Sequence, residues 1–236
     1  MIDIRTLEGV RVDRIITDGG YFPVIQRIGP KSAVLVLRTR AGHGGVEGRL
    51  EVMRTDDNGM TWSDSVVAAD SERDDRNPAL EVVGQEVIVA YYHHARYDAD
   101  QVYHPDEPVD TMVTRSPDGV VTWDQPTFVT DGPLNGASPY GKIVALNDGT
   151  LLMDLYSVDE TNIFEEEEED PTIYKSYVIR SKDGGRTWGD ESLIAEGHNE
   201  CAMWVLDNGE ILAVPRHQRP GFGGASVWIT RNRWRL

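Results

Sequence analysis

Arginine, carboxylate, histidine and tyrosine side chains recur at corresponding points along the sequence. The first group is Tyr21 and Phe22, followed by Arg38, Arg40 and His43. The second is Asp75, Arg76 and Asn77, followed by Tyr92, His93 and His94. The third is Ser138 and Tyr140 with Tyr156, and the fourth is Glu200 with Arg216 and His217. Gathered at one place, such groups suit a small polar ligand. His43 is the obvious proton-transfer group of its stretch, because a histidine titrates near neutrality. The alternative is that these are ordinary loop and strand-end residues paired with one another.

Whether they gather depends on the elements that carry them. Three octapeptides, "TDDNGMTW" (55–62), "SPDGVVTW" (116–123) and "SKDGGRTW" (181–188), recur about every 60 residues. Each follows an extended run ("RLEVMR", "TMVTR", "SYVIR") and precedes another, so each reads as a hairpin turn. Gly59 and Gly185 can take positive φ without steric cost, and Asp57 and Asp183 can accept bonds from turn amides. The glycine of the second copy, Gly119, falls one position early. Trp62, Trp123 and Trp188 are expected to cap the hairpins, with Trp188 largely buried. Between the octapeptides lie four strand–turn–strand segments, at 25–38, 80–92, 143–156 and 203–216. Four strands, A to D, therefore repeat along the chain. Radial stacking of such units gives an all-β propeller; a two-sheet sandwich is the rival. Short A–B turns and the octapeptides share one end of the units. The long B–C loops (39–48, 93–110, 157–172 and 217–224) share the other, where function is usually carried. Arg38, Arg40, Arg76 and Arg216 are expected at that loop end, opposite Trp62 and Trp188.

The pattern [ST]-x-D-x-G-x-T-W resembles the Asp box, or BNR repeat, of the sialidase superfamily. Two copies match fully and one nearly, and the resemblance runs from residue 21 to about 230. It implies a sialidase-like β-propeller of four-stranded blades, with about four present of an expected six. The family's arginines hold an anionic sugar carboxylate, an aspartate is the acid/base, and a tyrosine–glutamate pair supplies the nucleophile. Glu200 and Arg216 resemble that glutamate and one of those arginines. "DRNPAL" (75–80) resembles the opening of the family's second blade, with Asn77 where aspartate is common. The first blade departs from the family: it opens "GGYFPV" in place of an Arg-Ile-Pro element, and "RTRAGHGG" carries His43 where an aspartate is expected. The resemblance thus implies Glu200, Asp75 and His43 as catalytic candidates. Arg38, Arg40, Arg76, Asn77, Tyr140, Arg216 and His217 are the substrate-binding candidates. The implied activity is exo-glycosidic hydrolysis of terminal sugars, acidic ones among them; the alternative is a non-catalytic glycan-binding or scaffold propeller.

Composition bounds these readings. A net charge of −17 argues against nucleic acid and anionic membranes as partners. The single cysteine, Cys201, excludes an intrachain disulfide. No metal or cofactor is expected. The run "EEEEED" (165–170) lacks the spacing of a calcium loop, and the adjacent histidines of "YYHH" (91–94) would point to opposite faces of a strand. No apolar leader or membrane span is visible, so a cytoplasmic location is expected, or a secreted one if a leader was removed. Residues 1–236 read as one domain, C-terminally incomplete, in which "GVRVDRIIT" (9–17) could close the last blade or open edges could pair between chains.

Overall fold

The structure, a computed structural model, describes residues 6, 8–16, 19–94, 98, 100, 102, 104, 107, 109–129, 136–158, 174–219, 222–225 and 228–230. Among them are sixteen strands and no α-helix. The first unit is β1 (Tyr21–Arg27), β2 (Ala33–Thr39), β3 (Arg49–Thr55) and β4 (Val66–Ala69). The second is β5 (Asp74–Val83), β6 (Glu86–His94), β7 (Val109–Ser116) and β8 (Thr127–Phe128). The third is β9 (Ser138–Ala145), β10 (Leu151–Val158), β11 (Tyr174–Ser181) and β12 (Gly189–Glu196). The fourth holds β13 (His198–Val205), β14 (Ile211–Arg219), β15 (Phe222–Ala225) and β16 (Trp228–Thr230). Each unit is an antiparallel meander, and in the fourth both β15 and β16 pair along β14. The inner strands β5 and β9 also meet in parallel, at Ala79–Gly141 and Leu80–Lys142. This is the radial arrangement of a β-propeller, with the first strands of neighbouring blades side by side.

The sequence forms blades because both faces of each sheet are apolar. In β6, Val87 and Val89 pack with Val36, Leu50 and Val52 of the first blade, while Ile88 and Ala90 pack with Ile143, Met153 and Ile179 of the third. The next interface joins Val144, Leu152 and Val178 to Met203 and Ala213 of the fourth blade. A strand buried on both sides reads as a continuous apolar run, such as "VIVA", rather than as alternation.

The octapeptides are the C–D turns. In the first, Asp57 accepts the Thr61 N–H (2.9 Å) and the Thr61 hydroxyl (2.6 Å), while the Gly59 N–H donates to the Thr55 hydroxyl (2.9 Å). Asp183 and Asp118 repeat these bonds with Thr187 and Thr122. Each turn needs two consecutive left-handed residues: Asn58 and Gly59, Gly119 and Val120, Gly184 and Gly185. Gly119 therefore fills the first of the two positions, and Val120 takes the second at φ 77°, a conformation rare for a β-branched residue. The tryptophans are partly buried, neither fully enclosed nor exposed. Trp123 and Trp188 touch the core clusters from their rims, and Trp188 donates its indole N–H to the Gly185 carbonyl at 3.0 Å. Residues 9–16 enter no strand; Arg11 pairs with Asp13 and reaches the Met60 sulfur of the first turn. The acidic run 165–170 lies outside the described residues.

Candidate functional site

Each inner strand is interrupted near its start. The β1–β2 register breaks between Tyr21 and Val24, the β5–β6 register between Arg76 and Ala79, and the β13–β14 register between Asn199 and Cys201. Between β9 and β10 it breaks opposite Asp154, which leaves Tyr140 to Lys142 unpaired with β10. Every break holds a left-handed residue: Phe22 (φ 51°), Asn77 (φ 51°), Gly141 (φ 71°) and Glu200 (φ 36°). Bulges bend a strand and re-aim its side chains, and three of these four residues are not glycine, so the conformation carries strain. The sequence did hold a signal. Pro23, Pro78 and Pro139 sit where a central strand should run, and proline is tolerated there chiefly at bulges.

All four bulges lie at the loop end. The first octapeptide touches the A–B turn, through the Asn58 N–H to the Lys31 carbonyl at 2.8 Å, and marks the opposite end. Arg38 and Arg40 come at the far end of β2, Arg76 at the start of β5, and Arg216 opposite Asn199 at the start of β13.

The fourth blade supplies a charge pair. Arg216 Nη1 lies 2.8 Å from Glu200 Oε2, and its Nε donates to Asn199 Oδ1 at 2.9 Å. The Arg216 side chain is 49% exposed and that of Glu200 is 19% exposed. Burial raises the Glu200 carboxyl above its ordinary range, against the pull of Arg216 and of His43. Burial, and then the Glu200 charge, push the half-buried Tyr140 phenol up. No hydrogen bond joins Tyr140 to Glu200 among the described residues. His217 stacks edge-on against His198, with ring centres 4.8 Å apart.

The first and second blades are held together beneath this pair. Arg38 and Asp74 are fully buried and paired at 2.6 Å. Arg38 also donates to the Gly42 and Gly45 carbonyls, and Asp74 accepts the Gly45 N–H at 2.9 Å. Arg76 lies 3.7 Å from the other Asp74 oxygen, donates to the His43 carbonyl at 3.3 Å, and stands over the Tyr92 ring. Asp75 is fully buried, accepts the Ser71 N–H (2.9 Å) and faces His93 Nδ1 (2.9 Å). Asn77 donates to Ser138 Oγ (3.0 Å) and to the Tyr156 hydroxyl (2.9 Å), which ties the second blade to the third. Burial pushes the Tyr156 phenol up to about 12. Arg40, in left-handed conformation, and His43 are exposed.

The structure thus pairs Glu200 with Arg216, within electrostatic reach of Tyr140 and His43, while Arg76 contacts the His43 carbonyl and Asn77 bonds to the third blade. Arg38 and Asp75 lie inside, with bonds only to the protein. Asn199, Asp74 and Asp154 were missed in the sequence. Among the described residues no three His, Cys, Asp or Glu side chains gather as metal ligands.

The family profile of the BNR repeat-like domain matches residues 23–229. The chain belongs to the BNR repeat-like domain family. Solved structures share its fold. A Dyadobacter fermentans protein of unknown function superposes with a TM-score of 0.73 at 18% identity, over 91% of this chain and 66% of that one. Trypanosoma rangeli sialidase in complex with sialic acid gives 0.67 at 12% identity, over 96% and 38%. NanB sialidase from Streptococcus pneumoniae gives 0.66 at 12% identity, over 92% and 52%. This BNR repeat-like chain therefore spans less than two thirds of each of these structures, and at such identities the likeness is one of fold. None of the curated proteins matches it.

Proposed function

We propose that the loop end of this propeller binds a terminal acidic sugar, with Arg216 receiving the sugar's carboxylate. One observation carries the reading: a half-exposed guanidinium is held from behind by Asn199 and from the side by Glu200. A guanidinium presents a planar fork of donors that matches a carboxylate. Tyr140 and His43 stand beside it as hydroxyl and imidazole partners for a sugar. The sialic acid complex of the Trypanosoma rangeli sialidase supports the choice of ligand class.

Exo-glycosidic hydrolysis is the second reading, and the raised, partly buried Glu200 carboxyl favours it. A tyrosine made nucleophilic by Glu200 would stand within about 3 Å of it. Tyr140 makes no such bond here, and Asp75 is sequestered against His93. Binding with very weak or no turnover by this chain is the expected behaviour. The test is titration of the purified protein with sialic acid, a uronic acid and a neutral hexose, followed by a panel of fluorogenic glycosides. Acidic sugars should bind at least about tenfold tighter than the neutral one, a gap of about 1.4 kcal/mol. Equal affinity for the neutral hexose would sink the binding reading. Turnover abolished by Glu200→Gln would replace it with the enzyme.

A further inference from the structure

Asp154 belongs to none of the interactions that form the site's surface, yet it lies directly behind them. It is fully buried in β10, and no cation stands against it among the described residues. Its Oδ2 accepts the backbone N–H of Cys201 at 3.1 Å, while Oδ1 has no hydrogen-bond partner. Two bulges meet at this carboxyl. Met153 and Leu155, its neighbours in β10, pair with Ile143 and Pro139, so Asp154 stands opposite the bulge that carries Tyr140. Cys201 is the residue that follows Glu200 in the bulge of β13. At the corresponding point of the first two blades stand Leu37 and Tyr91, neither of them a carboxyl.

A buried, half-satisfied carboxyl costs stability, so its presence calls for an explanation. The structure assigns Asp154 the role of a positioning residue for Glu200: from the third blade it clamps the backbone of the bulge that aims Glu200 at Arg216. Glu200 sits at φ 36°, which a non-glycine residue keeps only when its surroundings hold it there. The Cys201 amide bond is one such hold, and it comes from a different blade. Burial raises the Asp154 carboxyl well above its ordinary range, with the Glu200 charge adding to the rise. The neutral acid is thereby favoured, and asparagine is its close mimic. Among the described residues, the charged or titratable groups facing it are Glu200 and the Cys201 thiol, itself pushed up by burial.

The inference rests on the sugar-site reading only for its affinity readout. Asp154→Asn keeps an acceptor for the Cys201 N–H, whereas Asp154→Leu keeps the bulk and removes the acceptor. Three quantities are read: the Glu200 titration midpoint by carbon NMR, hydrogen exchange at the Cys201 amide, and sialic acid affinity. Asparagine should leave all three unchanged. Leucine should move the Glu200 midpoint by about one pH unit, release the Cys201 amide to exchange, and weaken binding about tenfold. A leucine variant with Glu200 and Cys201 unchanged would overturn the assignment. So would an asparagine variant whose Glu200 midpoint moves by about a unit, because charge rather than the clamp would then be acting. If the leucine variant does not fold, the parent protein decides: a Cys201 amide exchanging as fast as an exposed loop amide overturns the clamp. Loss of sugar binding in the parent, with the NMR results as expected, would sink the sugar reading and leave the clamp standing.

Discussion

Arg38→Met separates a structural arginine from a ligand-binding one. The wild-type side chain is fully buried against an equally buried Asp74. Removing one partner of such a pair commonly costs 3–5 kcal/mol, because the other charge is left without compensation. Here Asp74 keeps the Gly45 N–H at 2.9 Å and the more distant Arg76 at 3.7 Å. The cost should therefore fall at the lower end, about 3 kcal/mol. Two carbonyls, of Gly42 and Gly45, lose their donor as well. For a chain of this length each kcal/mol is worth about 2–4 °C, so the melting temperature should drop by about 6–12 °C. Calorimetry at neutral pH reads this directly. Adding Asp74→Leu removes the stranded charge and should recover about half of the loss. A single variant that melts with the parent but no longer binds sialic acid would refute the reasoning, since Arg38 would then face the ligand.

Gly48 cradles the same arginine: a Cβ there would overlap the guanidinium. Gly48→Ala should destabilise by about 1–3 kcal/mol, read by thermal melting. The Asp-box carboxylates set an acid limit. Hydrogen bonds from the Thr61 hydroxyl and amide hold Asp57 down at about 2, and Asp183 is lowered by the same bonds from Thr187. A lowered folded-state value stabilises the protein above the ordinary carboxylate pKa of about 3.9. That stability disappears as pH falls toward 2. Melting temperature should therefore decline across this window in the parent, and less steeply in Asp57→Asn and Asp183→Asn. Trp188→Ala should cost about 3 kcal/mol, the lower end of the 3–5 kcal/mol of a fully buried large side chain, because the ring packs on the core from its rim and keeps some exposure.

Local chemistry wrote the blades plainly into the sequence. Turn residues, apolar runs and the octapeptide period fixed the strand pairs, because each depends on neighbours a few residues away. The site was legible only by position. Glu200 and Arg216 could be placed on adjoining strands of one blade, and they do pair. The burial of Arg38 could not be read, since its partner Asp74 lies 36 residues away and nothing local marks the contact. Asp75 looked like a free acid for the same reason. Its partner His93 comes from the next strand, and its Ser71 amide from a loop. The bulges were visible only as misplaced prolines, and a period-2 reading passes over a residue that steps out of the ladder. Val120 shows the limit from the other side: the second box keeps its Asp118–Thr122 and Ser116–Val120 bonds although its sequence lacks the usual glycine, because strain at one residue is cheaper than losing the turn.

Sialic acid titrated calorimetrically into the parent, Arg216→Met and Glu200→Gln bears most directly on the proposed function. The Arg216–Glu200 pair is partly exposed, and such pairs contribute about 1 kcal/mol or less to stability, so all three proteins should be folded at the measuring temperature. The expected result is saturable binding by the parent, at least about tenfold weaker binding by Arg216→Met, and binding as tight or tighter by Glu200→Gln, whose Arg216 no longer shares its charge. Undiminished affinity in Arg216→Met would contradict the placement of the sugar's carboxylate at the loop end of the fourth blade.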